Sequence, residues 1–400
     1  MSCHHSLSDD EQQGIAKIRE VLGEHIPENL NTDFNLRRWW IGHDRNIDII
    51  HEKMSLYLKN RKVLKFDDPK FFETFYERED IKQILQYFGM SRISQDCVNK
   101  DNAVVFVESG EFDKNVLNTS TTGHYLKVFF ACCELVSQMI LKVEKETGKP
   151  SYGICIFDMS KVAITNHINP SSGCNKVFKA RAQIWEDFFP GMIRHITIAN
   201  SPSMLTFIWG IVKFLLNEKQ RNLLKFCRNE SQLIEIIGKE RLPVAFGGEW
   251  MDKSYSIKSD CCNEIKKISP SDYYVENSLF KKLGFNIDRL PPNNTYDIKA
   301  NTKYRFACKP IENNGKLYIA WKFTTANPIQ FSVHNGEKLV YPSLKLVTTE
   351  VAEEDYIEAE NSNQIFYIEF GNSNRFSSIT ITLMLISSEI IETHRLPLDA

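Results

Sequence analysis

The sequence has no apolar run long enough to cross a bilayer. Its longest greasy stretch, Met204 to Leu216, is interrupted by Thr206, Gly210 and Lys213 and falls short of the ~20 residues a spanning helix needs. The N-terminus, Met1 to Gln13, is polar and acidic and has no apolar core of the secretory kind. A cytoplasmic protein is the expectation. An excess of charge is also missing. Forty-nine basic residues face 51 acidic ones, for a formal net charge of −2, so no global basic field points to nucleic acid.

Cysteine is not scarce, but its patterns are. None of the ten cysteines forms a C-x-x-C, and no Cys/His cluster has zinc spacing. Cys132-Cys133 and Cys261-Cys262 are adjacent pairs that do not bridge comfortably. All are read as reduced thiols, mostly small core residues. The motifs of common catalysis are absent too: no G-x-G-x-x-G after a strand, no G-x-x-x-x-G-K-[ST], no G-x-S-x-G and no H-E-x-x-H. Asp158 ends a strand, where active-site acids often sit, but it also fits a loop-capping acid. His167 and His195 are isolated and read as structural. We expect no catalytic residue, no metal and no cofactor.

What is present reads as three segments along 400 residues, 42% of them hydrophobic. Residues 1–80 predict an α-helical bundle. Ser8 with Glu11 has the form of a capping box, and Ile15, Ile18 and Leu22 follow on one face. Leu36, Trp39 and Trp40 mark a second helix; Ile47, Ile50, Met54 and Leu58 mark a third. Residues 81–250 alternate strands and helices. Ala103–Val107, Gly153–Asp158 and Arg194–Asn200 read as buried strands, His124–Thr147 and Lys176–Phe189 as helices. Gly148 stops the first of these helices. Continuous apolar strands between helices predict a mostly parallel, helix-covered α/β sheet. Residues 251–285 are polar and read as a linker helix. Residues 286–400 switch to strict alternation (Leu317, Ile319, Trp321, Phe323; Ile329, Phe331, Val333; Ile379, Ile381, Leu383) and predict an all-β antiparallel sandwich. Asn313-Asn314-Gly315 is a turn signal within it.

Met204–Leu216 is apolar nearly all the way round, whereas a surface helix has a polar face. By composition it is either a buried core helix or the cover of something apolar that is not protein.

Four stretches, in this order, resemble the CRAL-TRIO lipid-binding family, which includes tocopherol- and retinaldehyde-binding proteins. They are Leu36-Arg37-Arg38-Trp39-Trp40 through Ile47; Ile156-Phe157-Asp158-Met159; Phe189-Pro190 through Asn200-Ser201-Pro202 and on to Lys213-Phe214-Leu215; and Leu242-Pro243 through Gly247-Gly248. The last segment resembles a GOLD domain at Trp321-Lys322-Phe323, at Ile329-Gln330-Phe331-Ser332-Val333, and at a strand with Asn372-Ser373 and Ser377-Ser378. CRAL-TRIO plus GOLD is the layout of the supernatant protein factor, or tocopherol-associated, group.

The resemblance implies a protein that binds a single hydrophobic lipid in a gated pocket and transfers or presents it at membranes without catalysis. It makes Met204–Leu216 the gate, and implies transient peripheral membrane association and protein partners through the GOLD domain. Implied ligand-binding residues are Val105, Ile154 and Ile156 on strands, with Met204, Phe207, Ile208 and Ile211 on the gate; plain core packing is the alternative for each. Charged groups used by phosphoinositide-binding members are missing: their positions hold Ile41-Gly42-His43, Gly191 and Leu223. The phosphatidylcholine headgroup positions hold Gly153, Cys155 and Val105. The resemblance with these departures favours a weakly polar lipid over a phosphoinositide. Two rivals remain, an adaptor or lipid sensor that recruits trafficking partners without transfer, and an enzyme acting on a hydrophobic substrate.

Overall fold

The computed structural model describes residues 7–201, 209–210, 213–214, 216–251 and 262–398. The N-terminal helices are α1 (Asp9–Leu22), α2 (Asp33–Gly42), α3 (Ile47–Val63), α4 (Pro69–Glu73) and α5 (Glu79–Leu85). The expected capping box opens α1: Ser8 accepts from the Glu11 N–H, and the Glu11 carboxylate accepts from the Ser8 N–H. Ile15, Ile18 and Leu22 are buried behind it.

The middle segment runs β1 (Ala103–Ser109), α6 (Thr122–Thr147), β2 (Tyr152–Asp158), α7 (Gly173–Phe188), β3 (Ile193–Ala199), α8 (Glu218–Leu223), β4 (Leu224–Phe226) and α9 (Glu230–Ile237). Its four strands form one sheet in the order β1-β2-β3-β4, every pair parallel. The helix-covered parallel sheet is as the sequence implied, with β4 added. Gly148 ends α6 in the left-handed region at φ 65°, a conformation a Cβ would strain.

Residues 251–285, expected as a linker helix, are otherwise built among the described residues. They are helical only at α10 (Ser278–Lys282) and in a single 3-10 turn at Pro270–Asp272. Ser91 and Cys262 form a bridge, Asn263 Oδ1 accepts from the Met90 N–H, and the Lys266 N–H donates to the Gln86 carbonyl. Backbone groups that a helix would satisfy internally are spent here on tethering the chain beside β1.

The last segment has ten strands: β5 (Asn294–Ile298), β6 (Thr302–Lys309), β7 (Ile311–Asn313), β8 (Lys316–Thr325), β9 (Ile329–Asn335), β10 (Lys338–Leu346), β11 (Glu353–Ala359), β12 (Phe366–Asn372), β13 (Ile379–Ile386) and β14 (Glu389–Pro397). They make two antiparallel sheets, β10-β9-β12-β6-β14 and β11-β8-β13-β5, with β7 paired to β8. Asn314 and Gly315, both at positive φ, turn the β7–β8 hairpin. The Asn372–Ser378 stretch is a strand end and loop rather than a strand. The Asn372 amide donates to the Ile298 and Ser377 carbonyls and pins the loop.

A single buried core extends through all three segments. Polar contacts lock them as well. Asn60 of α3 exchanges two hydrogen bonds with the Ser343 backbone of β10. The Glu353 carboxylate of β11 accepts from the Gly123 N–H in the first turn of α6, at 2.8 and 3.0 Å. Lys127 and the Tyr341 hydroxyl both donate to Asp355.

Candidate functional site

Side chains alternate between the faces of a sheet, so the register sorts the parallel strands into rows. One face carries Phe106, Cys155, Ile196 and Leu224 in one row and Glu108, Phe157, Ile198 and Phe226 in the next. The other carries Val105, Ile154 and His195, then Val107, Ile156 and Thr197. The two faces differ in what they leave open, since over β3 and β4 the second face opens only at the polar His195 and Lys225. Val105, Ile154 and Ile156 are 0%, 1% and 0% exposed. On the first face Phe157, Ile196 and Leu224 are only partly buried and Phe226 is 39% exposed.

Two observations assign the first face to the helices. Arg181 of α7 reaches Glu108 at 2.5 Å, and its guanidinium lies 4.3 Å above the ring of Phe129 on α6. Trp209, from the segment that follows β3, meets Phe226 edge to face at 5.2 Å. The partly open floor therefore lies under α6, α7 and Trp209. Met159 and Ile198 form a small apolar cluster of their own there, with Phe157, Val162, Ile196 and Leu224 around it. This is the candidate ligand compartment, floored by the sheet and walled by helices.

The geometry relocates the strand residues expected at the site. Val105, Ile154 and Ile156 point to the opposite face and are dry core. A parallel sheet buried on both sides reads as a continuous apolar run, so sequence could not tell its faces apart. Met204, Phe207, Ile208 and Ile211 lie outside the described residues. Gly153 and Cys155 do share the open face. The Gly153 position is crowded: a Cβ there would fall 2.6 Å from Ile193.

Two residues on this face were missed. Glu108 is a carboxylate inside an otherwise apolar strand, the one signal in the sequence that marks it; Arg181 lies 73 positions away. Their surroundings are apolar. Burial opposes the Arg181 charge, but Glu108 more than offsets this and holds the guanidinium protonated. Burial pushes the Tyr125 phenol and the Cys132 thiol up to about 12, with Arg181 pulling both back. Burial likewise raises Cys155 well above its ordinary value, so these thiols are not nucleophiles at neutral pH. The described cysteines are all free.

The other residues weighed from sequence have local partners. Asp158 caps its own loop, accepting from the Ser160 N–H and hydroxyl and from the Asn200 amide. His167 Nδ1 lies 2.8 Å from Asn175 Oδ1. His195 sits on the opposite sheet face. Among the described residues no three His, Cys, Asp or Glu side chains converge as a metal cluster, and no helix is long and apolar enough to cross a membrane.

Two departures from the family pattern have a steric cause. A Cβ at Gly42 would fall 2.3 Å from Pro190, so α2 approaches the turn after α7 through a glycine. Gly191 sits at φ 66° against Arg38, where any side chain would be strained. A separate cleft of about 810 Å³ opens between α5, residues 90–93 and Asn263-Glu264, backed by Cys132 and Leu135. No residue of the four parallel strands lines it.

Several known proteins are similar to this chain. The CRAL/TRIO domain signature matches residues 97–248. The chain is 30% identical over 388 residues to the CRAL-TRIO domain-containing protein C34C12.6 of Caenorhabditis elegans, covering 94% of this chain and 95% of that one. It is 25% identical over 242 residues to the CRAL-TRIO domain-containing protein F28H7.8 of the same organism, with 58% and 57% covered. The crystal structure of Sfh5 aligns at 12% identity with a TM-score of 0.39, over 65% of this chain and 93% of that one. The sheet-floored compartment lies within the matched region, and the chain belongs to the family of CRAL-TRIO domain-containing proteins.

Proposed function

We propose that this protein is a non-catalytic carrier that binds one hydrophobic lipid between the parallel sheet and helices α6 and α7, and exchanges it at membrane surfaces. The observation that carries the reading is the asymmetry of the sheet. One face leaves the apolar Phe157, Ile196, Leu224 and Phe226 partly open beneath helices, while the positions left open on the other, His195 and Lys225, are polar. Exposed apolar surface costs ~25 cal/mol per Å² in water, so such a floor is stable when an apolar molecule lies on it. A CRAL-TRIO domain is consistent with that use.

In this reading Met204–Leu216 is the gate, an assignment that stands on sequence. A greasy cover loses little when it swings into a bilayer, because lipid tails replace its former contacts. The protein works in the cytoplasm and visits membranes transiently. The β-sandwich, GOLD-like in its sequence pattern, presents the carrier to protein partners. The ligand is a weakly polar lipid rather than a phosphoinositide, since the charged positions that serve phosphoinositides are filled here by Ile41-Gly42-His43, Gly191 and Leu223.

The test is mass spectrometry of lipids extracted from the natively purified full chain. A neutral lipid species at near-stoichiometric amount is expected. Phosphatidylinositol in its place would refute the headgroup assignment. Finding no lipid, and no uptake from liposomes, would remove the carrier reading and leave an adaptor that acts through the sandwich.

A further inference from the structure

The buried ion pairs against α6 and the parallel sheet, Arg38–Glu144, Arg61–Glu134 and Arg181–Glu108, are not built alike. Arg61–Glu134 is sealed, with side chains 2% and 0% exposed. Both oxygens of Glu134 are bonded, one to Arg61 and Gln138 and the other to Tyr57, and Arg61 also reaches Asp67 and the Phe66 carbonyl, with only its Nε unpartnered. Arg181–Glu108 is different. Both side chains keep 18% of their surface open. Only one carboxylate oxygen of Glu108 is used, the other having no hydrogen bond among the described residues, and Arg181 Nε is likewise without a partner. Yet the pair stands in the row with Phe157, Ile198 and Phe226, under Phe129. Polar groups in an apolar setting are costly unless bonded. The difference lies in the carboxylates: both oxygens of Glu134 are bonded, whereas one oxygen of Glu108 is open on the sheet face that carries Phe157, Ile198 and Phe226.

We propose that Glu108 and Arg181 form the polar anchor of the compartment and hold a hydroxyl group at the head of an otherwise apolar ligand. The hydroxyl donates to the free Glu108 oxygen and accepts from the Arg181 guanidinium, which meets both needs at once. The pair is neutral as a unit, so it selects against a carboxylate or phosphate head, which Glu108 would repel. The assignment rests on the lipid-carrier reading and names the chemistry its site selects.

The experiment presents tritiated 1-octadecanol, octadecane or octadecanoate, at equal concentration in phosphatidylcholine vesicles, to the full chain, which is then re-isolated. One net hydrogen bond contributes ~1 kcal/mol or slightly more, so octadecanol should be retained about tenfold over octadecane. In Glu108→Gln the cation loses its counter-charge and octadecanoate should overtake octadecanol, a reversal that a purely structural pair would not produce. In the paired variant Glu108→Leu, Arg181→Leu no orphan charge remains, and the alcohol and the hydrocarbon should bind equally. Equal retention of octadecanol and octadecane by the native protein overturns the anchor while leaving the carrier intact, and a native preference for octadecanoate overturns it as well. Retention of none of the three removes both. The decisive comparison uses the native chain, so it survives any failure of a variant to fold.

Discussion

Replacing Glu134 with alanine should lower the stability of the folded chain by about 3–5 kcal/mol. Glu134 lies on α6 with no exposed surface; it pairs with Arg61 and accepts from the Tyr57 hydroxyl at 2.8 Å and the Gln138 amide at 2.6 Å. Arg61 is itself 2% exposed and comes from α3, so the pair joins the N-terminal helices to the lipid domain. Alanine leaves a guanidinium buried with only Asp67 to offset it. Desolvating an unpaired charge costs far more than the pair contributes when intact. The control follows from the same asymmetry: Arg61→Met with Glu134→Leu removes both charges, and its stability should return to near that of the native chain. Equilibrium urea unfolding reads both variants. A loss below 1 kcal/mol in the alanine variant would show that water reaches this pair and that the bundle and lipid domain are not sealed together.

The second large effect is a pH dependence at the seam between the sandwich and the lipid domain. Glu353 is buried with its carboxylate against the Gly123 N–H. Burial raises it to about 7 against an ordinary 4.5, with Gly123 and Lys127 resisting and Asp355 assisting. Between these two values the folded state binds more protons than the unfolded one, so stability falls as pH rises through that window. Above pH 7 the buried charge carries its full cost, on the order of 3 kcal/mol from the shift. Glu353→Gln keeps an acceptor for Gly123 without the charge. It should therefore be more stable than the native protein at pH 8 and equal to it near pH 5. The histidines depressed by burial, His43, His124, His195 and His334, act in the opposite sense, losing stability as pH falls through 6.5, but they are common to both proteins and cancel in the difference. Parallel stability curves from pH 5 to 8 would mean that Glu353 does not titrate in this window.

The local elements were legible because their signals are local. Ser8 and Glu11 cap α1 within four residues, Gly148 stops α6, and strict alternation from Leu317 to Phe323 places β8 in a sandwich sheet. The family pattern likewise lies in contiguous motifs. The linker was misjudged because its charged periodicity competes with tethers to Gln86 and Met90, more than 170 residues away.

The sequence by itself determined three successive segments, a parallel sheet between helices, and a lipid-domain identity. Tertiary structure alone decided which sheet face leaves apolar residues open, because Val105 and Phe106 are both apolar and nothing local separates inside from inside. It also decided that Glu108 meets Arg181 and Glu134 meets Arg61. Each partner lies 73 positions away, and the register and helix packing that bring them together exist only once the chain has folded.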